Sequence, residues 1–417
     1  SANARARSGP SEKDSVRFDP GTADGYKFFL ALGPVSNVDK LYFHNQVPEW
    51  NNYMEHPDYD EFWQRQNVAQ YLKNITVPVL NVAGWFDAED FYGPMSIYEE
   101  IEKTTPSNHS TLVVGPFSHG GWNGEDTGNA LRNIRFAGSP AVYFRDKVQF
   151  PFFLYYLKQK GGLHLPEALV YETGSNVWRS YDHWPPRQAS DKSLYFRAGG
   201  KLAFDPPSDA GPNAYDSYIS DPARPVPFSA ETRFSQGHLW MVEDQRFAAH
   251  RPDVLVYETA PLSEDVTVAG RVIAKLYAAT SGTDSDFIAK LIDVYPGTAP
   301  DNDPNPAGIR MGDFQMLVSG EVFRARYRHS FTHPEPLVPN QPTAIEINLR
   351  DKNHRFLRGH EIMVQVQSTW FPVIDRNPQK FVNIYQATPA DFQKAEQRIY
   401  RSREFPSHVE VSILGVQ

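Results

Sequence analysis

Two short apolar runs, each closing on a glycine and then on a polar cluster, constrain this chain more than any other feature. The first is Val77-Pro-Val-Leu-Asn-Val-Ala-Gly84, followed by Trp85-Phe-Asp87-Ala-Glu89-Asp90. The second is Ser110-Thr-Leu-Val-Val-Gly115, followed by Pro116-Phe-Ser-His119-Gly-Gly-Trp122. Runs of this kind, with helix-like sequence between them, are the pattern of buried parallel strands. In open α/β sheets ligands bind at the carboxyl ends of such strands. One of the two loops offers Asp87, the other His119. A histidine acting as general base needs a carboxylate on its Nδ1–H, which fixes the tautomer and stabilises the imidazolium. Acid before histidine is the chain order of the second half of one type of Ser–Asp–His triad. The alternative is that Asp87 caps the helix opened by Gly93-Pro94 and His119 is an ordinary loop residue.

A nucleophile to match is missing. No serine lies in a Gly-x-Ser-x-Gly context, and Ser118, beside His119, follows Pro116-Phe117 with no strand-to-helix turn around it. The chain has no cysteine, so a cysteine nucleophile, thiolate metal sites and disulfides are excluded. The expectation is a carboxyl-terminal part of a longer enzyme, inactive without its nucleophile segment. Ser1 to Pro10 reads as a flexible segment or a cloning remnant, since no apolar stretch follows it as in a signal peptide.

Length and charge narrow the classes. A chain of 417 residues suggests two to three domains. The net charge of −9 comes without a basic block, which argues against a nucleic-acid surface. No apolar run reaches the length of a membrane span. In chain order, residues 1–75 are a flexible start followed by several short aromatic-rich helices between Asn37 and Gln70, suited to a lid and equally to ordinary packing. Residues 76–168 are the α/β piece: strands at Val77–Ala83 and Thr111–Val114, a helix over Met95–Lys103, and a long helix from Ser139-Pro140 to about Lys158 ended by Gly161-Gly162. Residues 169–417 change period. Val170–Gly174, Lys192–Arg197, Val266–Ala278, Ile362–Val366 and Val409–Ile413 read as short strands among Pro, Gly, Asp and Asn turns, hence a β-sandwich of jelly-roll type.

Two further clusters matter. Glu89 and Asp90, with Asp87, place three acids in four residues, either a cation-binding pocket or negative charge at a helix start. Asp301-Asn-Asp303-Pro-Asn305 resembles the opening of a calcium loop, but Gly312 stands where the twelfth-position acid belongs, so it reads as a surface turn. The thirteen histidines show no zinc spacing.

The motifs together resemble a known group. Glu55-His56, Tyr59-Asp60 and Phe62-Trp63-Gln64 look like the end of a helical cap. Gly84-Trp-Phe-Asp87 and Gly115-Pro-Phe-Ser-His119 look like acid and base motifs. Tyr257–Leu262, Asp284-Ser-Asp-Phe, Lys290–Pro296 and Ser368–Pro372 look like a jelly-roll domain. The chain is similar over most of its length to the α-amino acid ester hydrolases, within the cocaine esterase-like and X-prolyl dipeptidyl peptidase-like serine hydrolases. The resemblance implies part of an α/β-hydrolase core with a helical cap, followed by a jelly-roll β-sandwich. It implies Asp87 and His119 as catalytic acid and base, and Glu89 and Asp90 as ligands for a substrate α-ammonium. Neither the family's third cluster acid nor its oxyanion-hole tyrosine has a match here.

The activity implied is acyl transfer from α-amino acid esters or β-lactam amides, with no metal and no cofactor. The partners expected are a small ester or β-lactam substrate and a separate nucleophile-bearing amino-terminal segment, with no nucleic acid and no membrane; a homo-oligomer is left open. Export to the periplasm or outside the cell is what family members suggest. A glutaryl-type acylase, another acyl esterase and an X-prolyl peptidase are the nearer alternatives, and a noncatalytic jelly-roll binding protein is the one from another class.

Overall fold

The computed structural model describes residues 19–123, 127–211, 213–234 and 239–415. It opens with short helices: α1 (Gly25–Leu32), a wide turn at Asp39–Phe43, α2 (Pro48–Glu55) and α3 (Glu61–Gln64). Asp24 and Asp60 start α1 and α3 by accepting backbone N–H groups, as N-caps do. This segment packs on later parts of the chain: Tyr59 N donates to Phe331 O at 3.0 Å, and Tyr327 Oη to Pro57 O at 2.8 Å.

The α/β part follows. β1 (Val79–Gly84) runs parallel to β2 (Ser110–Gly115), and α4 (Tyr92–Thr104) crosses between them. A small hairpin, β3 (Ala130–Leu131) and β4 (Ile134–Arg135), lies beyond. β5 (Ala168–Glu172) is parallel to β2, and β6 (Val177–Tyr181) closes that side antiparallel. The sheet order is β1-β2-β5-β6. One face packs Met95 and Tyr98 of α4 against Ala83, Leu112, Val114 and Val170. The other packs Ala141, Phe144 and Val148 against Val113 and Leu169. Strands with apolar side chains on both faces are what the unbroken runs in the sequence encode.

Two expectations change here. Val170–Gly174, read with the β-rich half, belongs to the α/β sheet, so the boundary expected at 168 falls on the first residue of β5 and the sheet continues to Tyr181. A short apolar run does not say which sheet it joins. The long helix is present but not uniform: α5 (Pro140–Tyr143) passes through a π-helical stretch, Phe144–Gln149, into α6 (Phe150–Lys158). Pro151 lacks an N–H and its ring would crowd the preceding turn, and the widened turns lie directly before it. Gln159, not the glycine pair, takes the left-handed cap position at φ 54°.

The rest is the expected β-sandwich. Its strands are β7 (Ala189–Arg197), β8 (Lys201–Ala203), β9 (Tyr215–Ser220), β10 (Leu255–Glu258), β11 (Val266–Thr280) and β12 (Asp286–Val294), then β13 (Gln315–Arg324), β14 (Thr343–Asn348), β15 (Lys352–Phe356), β16 (Glu361–Gln367), β17 (Ala395–Tyr400) and β18 (His408–Leu414). The ladder runs β13-β12-β16-β10-β8-β7-β18-β11-β17-β9, with β14 and β15 also on β11. Inward side chains such as Phe196, Leu276, Phe287, Leu291, Val364 and Val409 share one core. The loop read as a turn at Asp301–Asn305 spends its polar groups on backbone: Asp301 accepts from Met311 N and Asn305 from Ile309 N. Among the described residues no helix is long and apolar enough to cross a membrane.

Candidate active site

The site forms where β1 and β2 end. Both strands close on glycine because Phe117 folds back over them. A Cβ on Gly84 would lie 2.4 Å from the Phe117 carbonyl oxygen, and one on Gly115 would lie 1.9 Å from the Phe117 ring. With that space open, Trp85 N donates to Gly115 O at 2.9 Å and Phe86 N to Phe117 O at 3.0 Å. The two loops are thereby joined before either reaches its polar residues. Trp85 and Phe86 are buried, and the Trp85 indole N–H donates to Tyr171 O at 2.7 Å.

Asp87 then faces His119. Asp87 Oδ2 lies 3.1 Å and Oδ1 3.3 Å from His119 Nδ1. Oδ1 also accepts the backbone N–H groups of Glu89 at 2.8 Å and Asp90 at 3.0 Å, which fixes the carboxylate plane. These bonds close a turn; α4 starts at Tyr92 with no side-chain cap, so Asp87 is not the cap of that helix. Its side chain is 3% exposed while that of His119 is 40% exposed, so the buried acid presents a reachable imidazole.

Glu89 and Asp90 converge on the same ring. Asp90 Oδ2 is 3.4 Å from His119 Nδ1, and Glu89 Oε2 is 4.0 Å from Nε2. Partial burial pulls the His119 pKa down, but Asp87, then Glu89 and Asp90, outweigh it and hold it above the ordinary imidazole value. Ligand-type atoms of Asp87, Asp90 and His119 all lie within 4.8 Å of one another, a setting that would also receive a cation. All four residues singled out from the sequence are thus brought together.

Sequence reasoning missed the residues behind the loop. Lys352, at the start of β15, donates to Trp85 O at 3.1 Å, and the guanidinium of Arg350 lies 4.4 Å from the centre of the Tyr92 ring. Nothing in Asp351-Lys-Asn-His-Arg355 marks an inward face, yet Lys352, Asn353 and His354 are all buried. Nearby, His354 joins the two halves of the chain. Its Nε2 lies 3.2 Å from Asp293 Oδ2 and its Nδ1 2.8 Å from Thr173 Oγ1, and His360 Nδ1 lies 2.7 Å from Asp293 Oδ1.

Fold and site geometry define a class: an α/β sheet with an acid and a histidine at its strand ends, carrying a β-sandwich. Residues 161–410 match the X-Pro dipeptidyl-peptidase C-terminal non-catalytic domain, and residues 15–121 match the X-Pro dipeptidyl-peptidase S15 family. The chain belongs to the family defined by the X-Pro dipeptidyl-peptidase C-terminal non-catalytic domain. Cocaine esterase of Rhodococcus sp. (strain MB1 Bresler) is 30% identical over 87% of this chain and 60% of its own length. An aminopeptidase from a marine sediment archaeon, Thaumarchaeota archaeon, is 39% identical with a TM-score of 0.91, over 97% of this chain and 66% of that one. An α-amino acid ester hydrolase is 40% identical with a TM-score of 0.88, over 94% of this chain and 65% of that one. The chain therefore spans less than two thirds of the length of each of these relatives.

Proposed function

We propose that these residues supply the acid, the base and the amine-binding group of a serine hydrolase that transfers acyl groups from esters or amides of α-amino acids, β-lactam side chains included. The observation that carries the reading is the Asp87–His119 contact of 3.1 Å, with the carboxylate oriented by two backbone N–H groups. In this reading Asp87 holds the Nδ1–H tautomer, leaving Nε2 as the base. Nε2 takes the proton of a serine Oγ supplied by sequence outside these 417 residues as Oγ attacks the acyl carbonyl. The imidazolium then protonates the leaving group, and water or an amine receives the acyl group in a second passage. The neutral imidazole is the active base, so the rate rises with pH, through a midpoint above the ordinary histidine value because the three carboxylates hold His119 up.

Glu89 and Asp90 serve to bind the substrate's free α-ammonium. Their side chains are 61% and 66% exposed, which leaves them reachable beside the imidazole. The names of two relatives, an aminopeptidase and an α-amino acid ester hydrolase, both denote substrates with a free amino group. The first gives the second reading, a peptidase that uses the same pair on an amide, and the ratio of ester to amide turnover separates the two. A noncatalytic binding sandwich is less supported: beyond residue 182, Phe204 and Phe331 are the strongly exposed aromatics among the described residues, too few for a recognition strip.

The test is a titration of the chain with an α-amino acid methyl ester and with its N-acetyl counterpart, read on the His119 ring resonances. The free amine is expected to move them, the acetylated ester much less, and E89Q with D90N to remove the difference. Equal responses to the two esters refute the amine-binding reading.

A further inference from the structure

The groups that brace the acid loop come from the β-sandwich. The turn between β14 and β15 reaches that loop at two places. At the loop's start, Lys352 Nζ donates to Trp85 O at 3.1 Å, and lies 4.5 Å from the centre of the Phe91 ring and 5.6 Å from that of Trp85. At its end, the Arg350 guanidinium is 4.4 Å from the Tyr92 ring centre. Asp87, Glu89 and Asp90 all lie between these two contacts. The turn itself is well anchored. Leu349 is buried, donates to Val272 O at 2.9 Å and accepts from Ser319 Oγ. Arg350 holds a left-handed φ of 70° with its N–H on Asn348 Oδ1, and Asp351 accepts the Trp184 indole N–H at 2.8 Å.

Lys352 is 4% exposed, and burial draws its pKa down to about 7 against the pull of Asp351 and Glu321, with Arg350 adding to the depression. Asp351, beside it, is pushed up to about 6 by burial. An ammonium with one hydrogen-bond acceptor among the described residues is a poor core stabiliser, since an apolar side chain of similar length would avoid its desolvation. A lysine here calls for a reason other than packing.

We propose that Lys352 is a positioning residue for the acid–base pair: with Arg350 it pins both ends of the loop Trp85–Tyr92, so that the β-sandwich keeps Asp87 on His119. The inference rests on the reading of Asp87 and His119 as a working pair. It gives the C-terminal domain a part in the site's geometry, exerted through one lysine and one arginine.

The experiment is an NMR titration of the His119 imidazole in the full chain and in K352M, R350Q and D87N. The sign of the shift discriminates. Losing a nearby cation by itself raises a histidine pKa, whereas loosening a partner carboxylate lowers it. A packing role leaves the midpoint where it is. The expected result is a midpoint lowered by about 0.5 pH unit or more in K352M, by less in R350Q and by most in D87N. A K352M midpoint at or above that of the wild type overturns the positioning role. A D87N midpoint equal to the wild type overturns instead the pairing on which the inference rests. If K352M does not fold, R350Q decides, and an unchanged or raised midpoint there overturns the proposal.

Discussion

Replacing Gly84 by alanine tests whether the strand ends set the site. The new Cβ would lie 2.4 Å from the Phe117 carbonyl oxygen, 2.9 Å from its carbonyl carbon and 3.1 Å from its Cβ. Ordinary carbon contacts sit at about 3.5 Å, so the oxygen is overlapped by about 1 Å. The obstacle is backbone, and no side-chain rotation relieves it. That same oxygen accepts Phe86 N at 3.0 Å. Moving it far enough takes the bond beyond reach and separates the loop of Asp87 from the loop of His119. Overpacking costs about 1–3 kcal/mol and the lost hydrogen bond about 1 kcal/mol, so G84A should unfold about 2–4 kcal/mol more easily. Gly93→Ala is the control. A Cβ there meets nothing within 4 Å, and the residue sits in α4, so alanine should be neutral or up to about 1 kcal/mol stabilising. Urea unfolding followed by tryptophan fluorescence and circular dichroism compares the two. The midpoint of His119 in G84A should also relax toward the ordinary imidazole value as Asp87 moves away. A G84A variant as stable as G93A, with an unmoved His119 midpoint, refutes the reasoning.

Three other substitutions probe the same loops and their supports. In a protein that also carries the nucleophile, D87N should lower kcat by about 10³–10⁴ with a much smaller change in KM, because the imidazole loses its tautomer and orientation. Asp293 is 1% exposed between His354 and His360; burial pushes its carboxyl up, but the two imidazoles outweigh this and hold it below the usual range. A depressed carboxyl adds stability that is present above its unfolded value of about 3.9 and is lost as pH falls through the folded value. D293N should cost about 3–5 kcal/mol at pH 7 and flatten the acid limb of a stability profile. Gly174 has φ 87°, and a Cβ on it would lie 2.0 Å from Arg355 O, so G174A should cost about 2–5 kcal/mol in an unfolding experiment.

The parts of the fold visible in the sequence are those where local and tertiary demands coincide. β1 and β2 read as strands because both faces are covered, and their closing glycines stand out because the Phe117 fold-back admits no side chain there. The four site residues follow from those two ends. β5 and the π-helical stretch at Phe144–Gln149 were not legible in detail, since one depends on pairing with β2 and the other on how a helix absorbs Pro151. Lys352 and His354 were illegible for a different reason: charged residues normally face water, and these two point inward to partners far away along the chain.

That separation sets an order of events in time. Lys352 and Trp85 lie 267 positions apart, so the acid loop lacks this contact until position 352 has left the ribosome. At about 5–20 residues per second synthesis of the 267 intervening positions takes about 13–53 s. The hydrogen bonds that join the ends of β1 and β2 need only residues up to Phe117, whereas the Lys352 contact on Trp85 needs the β14–β15 turn, so on the proposed positioning role the acid loop is the later of the two to be fixed.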